Sequence, residues 1–165
     1  MATNRFKYLL VLFLALTVSQ IQAQKSQVYK NKKTQMRVKF PCDYTSSVTK
    51  KEKYTTYKMD CKDDDVSYVA TVTAHKVKMT GVKGLLKVSL DAFSKNFPDA
   101  TIIYTKDWKI GKQVGTKRQM LFKGYLLNYY VIMKNDKQYQ LIVFGDKDSS
   151  DEKKRDDFIK SFKML

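Results

Sequence analysis

Thr116–Phe144 reads TKRQMLF, then Lys123-Gly124, then YLLNYYVIMK, then Asn135-Asp136, then KQYQLIVF. Three runs of strand-forming residues are separated by two short spacers, and both spacers carry turn chemistry. Connections that short join antiparallel neighbours. The segment therefore reads as a three-strand meander over Thr116–Phe122, Tyr125–Lys134 and Lys137–Phe144. A mainly antiparallel sheet follows from it.

Upstream, Gly111 and Gly115 bracket a turn, and Ala100 to Ile110 reads as another strand with Ile102, Tyr104 and Trp108 buried. Before it, Val82, Leu85, Leu86, Leu90, Phe93 and Phe97 recur at helical spacing. Thr80 is placed to cap that helix, and Pro98 disfavours helical geometry at Phe97 and stops it. Val66 to Val77 reads as a strand with Tyr68, Ala70, Val72 and Ala74 on one face. A charged turn, Lys62-Asp63-Asp64-Asp65, precedes it. Tyr44–Lys50 and Lys53–Met59 read as a hairpin, and Met36–Phe40 alternates apolar and polar before Pro41. Downstream, Ser149 and Glu152 suggest a capping box for a last helix from about Ser150 to Met164, with Phe158, Ile159 and Phe162 on its apolar side. Strands and helices are segregated rather than alternating, which argues for an α+β fold: a mainly antiparallel sheet of about six to eight strands packed with two amphipathic helices. Whether the helices share one sheet face stays open.

The 165 residues suffice for one domain. Arg5 and Lys7, the apolar run Tyr8–Val18, and Ile21 and Ala23 ahead of Gln24 form the pattern of a secretory signal peptide over 1–23. The apolar run is too short to span a bilayer. Cleavage near Ala23 implies a secreted or periplasmic protein. Residues 24–35 read as a flexible basic arm, and 36–165 as the single domain. Outside the cytoplasm Cys42 and Cys61 tend to pair. A hairpin turn centred on Lys51-Glu52 would set Tyr44 opposite Met59 and Cys42 opposite Cys61. Such a bridge stabilises by about 3 kcal/mol in the chain-entropy picture. Two buried free thiols are the alternative.

The formal charge is +16, and loss of Arg5 and Lys7 would take it to +14. Of 32 basic residues only Arg5, Arg37, Arg118 and Arg155 are arginine. Base and phosphate recognition leans on the planar guanidinium fork. The composition therefore argues against specific nucleic-acid recognition and leaves weak, non-specific polyanion binding.

No set of residues reads as a catalytic, cofactor or metal site. His75 is the single histidine, with no nucleophile paired to it by motif. Asp63, Asp64 and Asp65 form a compact acidic turn. Asp146-x-Asp148-x-Ser150, with Asp157 at the twelfth position, echoes a calcium loop, but Asp151 stands where that loop needs glycine. Tyr125, Tyr129, Tyr130 and Tyr139 lie on strands and read as core packing more readily than as a stacking platform.

Met36–Pro41, the central helix, Gly111-x-x-x-Gly115, the Asn135-x-x-x-Tyr139-Gln140-Leu141-Ile142-Val143 run and the closing Phe158-x-x-Ser161-Phe162-Lys163 together resemble the secreted, bacterial type of PsbP-like domain. The resemblance implies a PsbP-like sandwich, an antiparallel sheet between helices. The broader group includes an extrinsic photosystem subunit and a nuclear import factor that binds a small GTPase, so it also implies binding and assembly roles. The leading expectation is a non-catalytic module with a protein partner. The alternatives are a polyanion-binding protein of the envelope or extracellular space and, least favoured, a small hydrolase.

Overall fold

The computed structural model describes residues 26–148 and 151–165. The signal sequence read over 1–23, and Ser149 and Ser150, lie outside the described residues. Among the described residues there are ten strands and two helices: β1 (Gln27–Asn31), β2 (Met36–Phe40), β3 (Thr45–Lys50), β4 (Tyr54–Asp63), β5 (Val66–His75), α1 (Val82–Lys95), β6 (Thr101–Ile110), β7 (Gln113–Phe122), β8 (Tyr125–Lys134), β9 (Lys137–Asp146), α2 (Glu152–Ser161) and β10 (Lys163–Met164). The main sheet has seven antiparallel strands in the order β3-β4-β5-β9-β8-β7-β6. A second sheet, β1-β2-β10, has three. The α+β class and the meander stand as read.

Both turns of the meander work by backbone sign. Lys123 and Gly124 have φ of 50° and 85°, and Asn135 has φ of 57°. The first has positive φ at both central residues, as a type I′ hairpin needs. Alternation along β8 then decides the layering. Tyr130 and Ile132 join a large cluster with Tyr68, Leu141, Phe40 and Phe158. Tyr129, Val131 and Met133 join a smaller one with Leu86 and Leu90. The helices therefore cover opposite faces. α2 and the small sheet close one face, and α1 covers part of the other.

Several local expectations give way. Within the span 24–35 read as an arm, Gln27–Asn31 is a strand paired with β2, Gln27 opposite Phe40 and Asn31 opposite Met36. Tyr29 is buried edge-on against Tyr44, 5.9 Å between centroids. The β3–β4 register puts Ser46, not Tyr44, opposite Met59, because the turn centres on Glu52-Lys53, with the Lys51 N–H donating to the Tyr54 carbonyl. The cysteines meet even so, since the chain bends between β2 and β3; Cys42 and Cys61 are bonded, with Cα atoms 5.9 Å apart. Thr80 does not cap α1. Gly81 stands at that position with φ of 68° and no side-chain cap. Asp151 caps α2, its carboxylate accepting from the N–H groups of Lys153 and Lys154 at 2.9 and 3.1 Å. That helix stops at Ser161, and Phe162 turns extended so that Lys163–Met164 pairs with β2. Gly115 lies within β7, not in a turn, where the backbone of β8 leaves no room for a Cβ. Ile102 is exposed because β6 is an edge strand with a register shift between Ile102 and Tyr104.

Candidate functional site

α1 packs over β8 and β7 and reaches β9 at Ile142 and Gln138, and no described element covers the same face of β5, β4 and β3. Its boundary with the open half is a groove of about 380 Å³. Val88, Ala92 and Phe93 form the helical wall, with Tyr129, Gln138 and Gln140 as the floor. Phe93 stacks on Tyr129, centroids 4.1 Å apart and planes 6° from parallel. Gln138 Nε2 donates to Ser89 Oγ at 2.9 Å, and Ser89 Oγ donates to the Leu85 carbonyl at 2.8 Å. That chain fixes one amide on the floor. Burial raises the Tyr129 hydroxyl pKa, while hydrogen bonds with Gln140 and Gln138 pull it the other way. The lining thus carries no side chain charged at neutral pH. Val88 is 64% exposed. The groove offers apolar side chains on its wall interleaved with the uncharged polar groups of Ser89, Asn96 and the floor amides, the chemistry that fits an extended or helical polypeptide segment.

The ends of the sheet differ in charge. Antiparallel connections return every second turn to the same end, so four crossings share one rim. The β3–β4 turn brings Lys50, Lys51 and Lys53 there, and the exit of β5 brings Lys76 and Lys78. The β8–β9 turn adds Lys134 and Lys137, and the β6–β7 turn adds Lys109 and Lys112. Glu52 and Asp136 are the carboxylates among these turns. The far end holds Asp63, Asp64 and Asp65 in one turn, Asp99 in another, and Asp146, Asp148 and Asp151 before α2, with Lys62, Lys123 and Lys147 among them and Lys154 paired to Asp63, so its acids are partly offset whereas most of the rim's lysines are not.

Three of the acids in the two candidate cation clusters, Asp63, Asp146 and Asp157, have structural partners. Asp63 is 4% exposed and takes its counter-charge from Lys154, 2.9 Å away on α2. That hydrogen bond raises the Lys154 pKa. Asp146 accepts from the Asp148 N–H at 2.8 Å, closing the loop on itself. Asp157 pairs with Lys153 at 2.6 Å. Among the described residues no group of three or more His, Cys, Asp or Glu side chains is placed to hold a metal ion. His75 ends β5 with its ring 6.1 Å from Tyr54, and no described side chain bonds its buried Nε2. Tyr129, Tyr130 and Tyr139 are core residues, and Tyr125 is exposed beside Phe144. The groove and the rim have no motif in the sequence; the rim could have been found only by tracking which turns share an end.

No protein-family model matches the chain, and no curated protein matches it. Among solved structures it is similar to cyanobacterial PsbP (CyanoP) from Synechocystis sp. PCC 6803, with a TM-score of 0.60 and 13% identity over 89% of this chain and 96% of that one. The fold is PsbP-like. No helix among the described residues is long and apolar enough to cross a membrane.

Proposed function

We propose that this PsbP-like domain is a non-catalytic binding or assembly module that works outside the cytoplasm and takes a protein partner in the groove beside α1. The observation that carries the reading is the groove itself: an open trough with Val88, Ala92 and Phe93 on its helical wall, one amide on its floor held by Ser89, and no side chain charged at neutral pH. Such a lining recognises a polypeptide and supplies no general acid or base. The Cys42–Cys61 bridge supports an oxidising compartment, in keeping with the signal pattern of the first residues.

The test places a photoreactive amino acid at Val88, on the groove wall, or at exposed Lys147, on the far end of the sheet, in the producing cell. Illumination should give a discrete adduct from position 88 that disappears when Ala92→Arg fills the groove. Matching adducts from both positions, or an adduct indifferent to Ala92→Arg, would sink the proposal.

A further inference from the structure

The lysine rim points to a second surface, beyond the groove reading. Seven strand ends at about 4.8 Å spacing make a rim roughly 29 Å long. Of its nine lysines only Lys137 has a carboxylate partner among the described residues, Asp136 at 3.3 Å. The acidic end lies a full strand away, about 33 Å for ten residues. A Debye length of about 8 Å at physiological salt keeps that end from cancelling the rim, so the molecule presents one positive end to any anionic surface.

Two features narrow the partner. The described arginines lie elsewhere: Arg37 on β2, Arg155 on α2, and Arg118 mid-strand, where it donates to Ser94 Oγ at 2.7 Å. The rim therefore carries point charges and no bidentate forks, which suits a diffuse anionic layer more than a specific phosphate site. Exposed apolar side chains are interleaved with the lysines. Val77, between Lys76 and Lys78, is 64% exposed, and Tyr54, Val82 and Val114 are also exposed along this end. A soluble polyanion gives those side chains nothing. A bilayer surface takes both, with lysines at the headgroups and short apolar side chains at the acyl boundary.

We infer that the lysine rim is a docking surface for a phospholipid bilayer rich in anionic headgroups, held by Lys51, Lys53, Lys76 and Lys78 and wedged by Val77 and Val82. The exported, processed protein is tested by sedimentation with phosphatidylcholine vesicles containing about 30 mol% phosphatidylglycerol and with phosphatidylcholine alone. Binding is expected only to the former and should fall steeply with salt. The triple variant Lys51→Glu/Lys53→Glu/Lys78→Glu should lose at least roughly a hundredfold in partitioning, since removing each lysine alone costs about fivefold and the new carboxylates add repulsion. Lys62→Glu/Lys95→Glu/Lys147→Glu changes net charge equally at exposed positions away from the rim, and should lose less than roughly threefold. Val77→Ser with Val82→Ser should lower partitioning roughly tenfold and leave retention on a sulfated resin unchanged. Equal losses from the two triple variants, vesicle binding indifferent to the valine changes, or binding to dextran sulfate without vesicle binding would each overturn the inference. None of these substitutions touches the groove, so this result and the crosslinking result fail independently.

Discussion

Raising the pH should destabilise this protein through its buried tyrosines. Burial pushes the hydroxyls of Tyr68, Tyr130 and Tyr139 up to about 12 from the ordinary value near 10. The carboxylate of Asp63 adds to the shift at Tyr68, the Tyr104 hydroxyl at Tyr130 and Asp136 at Tyr139. Tyr129, under α1, is raised as well. A raised folded-state pKa means the unfolded chain releases its protons first. The stability these groups hold is intact below pH 10 and is lost as pH climbs toward 12. A tyrosine ionising at about 10 unfolded and about 12 folded forfeits about 1.4 kcal/mol at pH 11, and Tyr68, Tyr130 and Tyr139 together forfeit about 4 kcal/mol, to which Tyr129 adds at least as much as any one of them. Lys154 acts in the same direction, weakly because its side chain is 45% exposed. Domains of this size are stable by about 5–15 kcal/mol, so the loss is a large share of the whole. Urea unfolding at about pH 8, 10 and 11, followed with tyrosinate absorbance, should show the midpoint collapsing over the last step. Tyr139→Phe removes one titrating group and should recover about 1.4 kcal/mol at pH 11. Stability flat across that range, or tyrosinate absorbance rising while the native circular dichroism persists, would refute the reasoning.

Lys154→Ala should destabilise by about 1–3 kcal/mol, because it strands the buried Asp63 carboxylate, whereas Lys153→Ala, which breaks only an exposed pair with Asp157, should cost less than about 0.5 kcal/mol; chemical denaturation of the two variants decides it. Gly115→Ala drives a Cβ into the Val131 carbonyl and to 2.8 Å from the Ile132 Cβ, so β7 must shift from β8 at a cost of about 1–3 kcal/mol, read as a lowered thermal midpoint. The double variant Cys42→Ala/Cys61→Ala should lose about 3 kcal/mol, and reducing agent should impose the same loss on the native chain and none on the variant.

Legibility in the sequence followed the strength of local signals. The meander was readable because each of its turns carries residues that accept positive φ and each strand alternates cleanly. β1 was not, because Tyr29 is its sole core residue and the surrounding lysines read as solvated chain. β10 is two residues long and exists only because β2 offers an edge beside it. Thr80 is a misleading start signal for α1, since a threonine before a helix caps it only if the backbone at that position is extended; here the chain enters through the left-handed Gly81. The disulfide was legible for a partly mistaken reason: the pairing is right, yet the register behind it was two residues off. The sites were least legible of all. The groove needs α1 laid across β8 and reaching β9, and no stretch of sequence contains that juxtaposition.

The rim and the groove meet on a single helix. α1 starts at the rim with Val82 and reaches the groove at Val88, six residues later, about 9 Å along the axis. A polypeptide seated in the groove would lie within roughly a Debye length of the surface on which the rim rests. An anionic bilayer would then favour partners with a basic or neutral flank on the rim side and disfavour acidic ones. The bilayer held at the rim would select among groove ligands without touching them. That coupling requires α1 to be rigid over its first two turns, and Leu86 and Leu90, buried against β8, supply the rigidity.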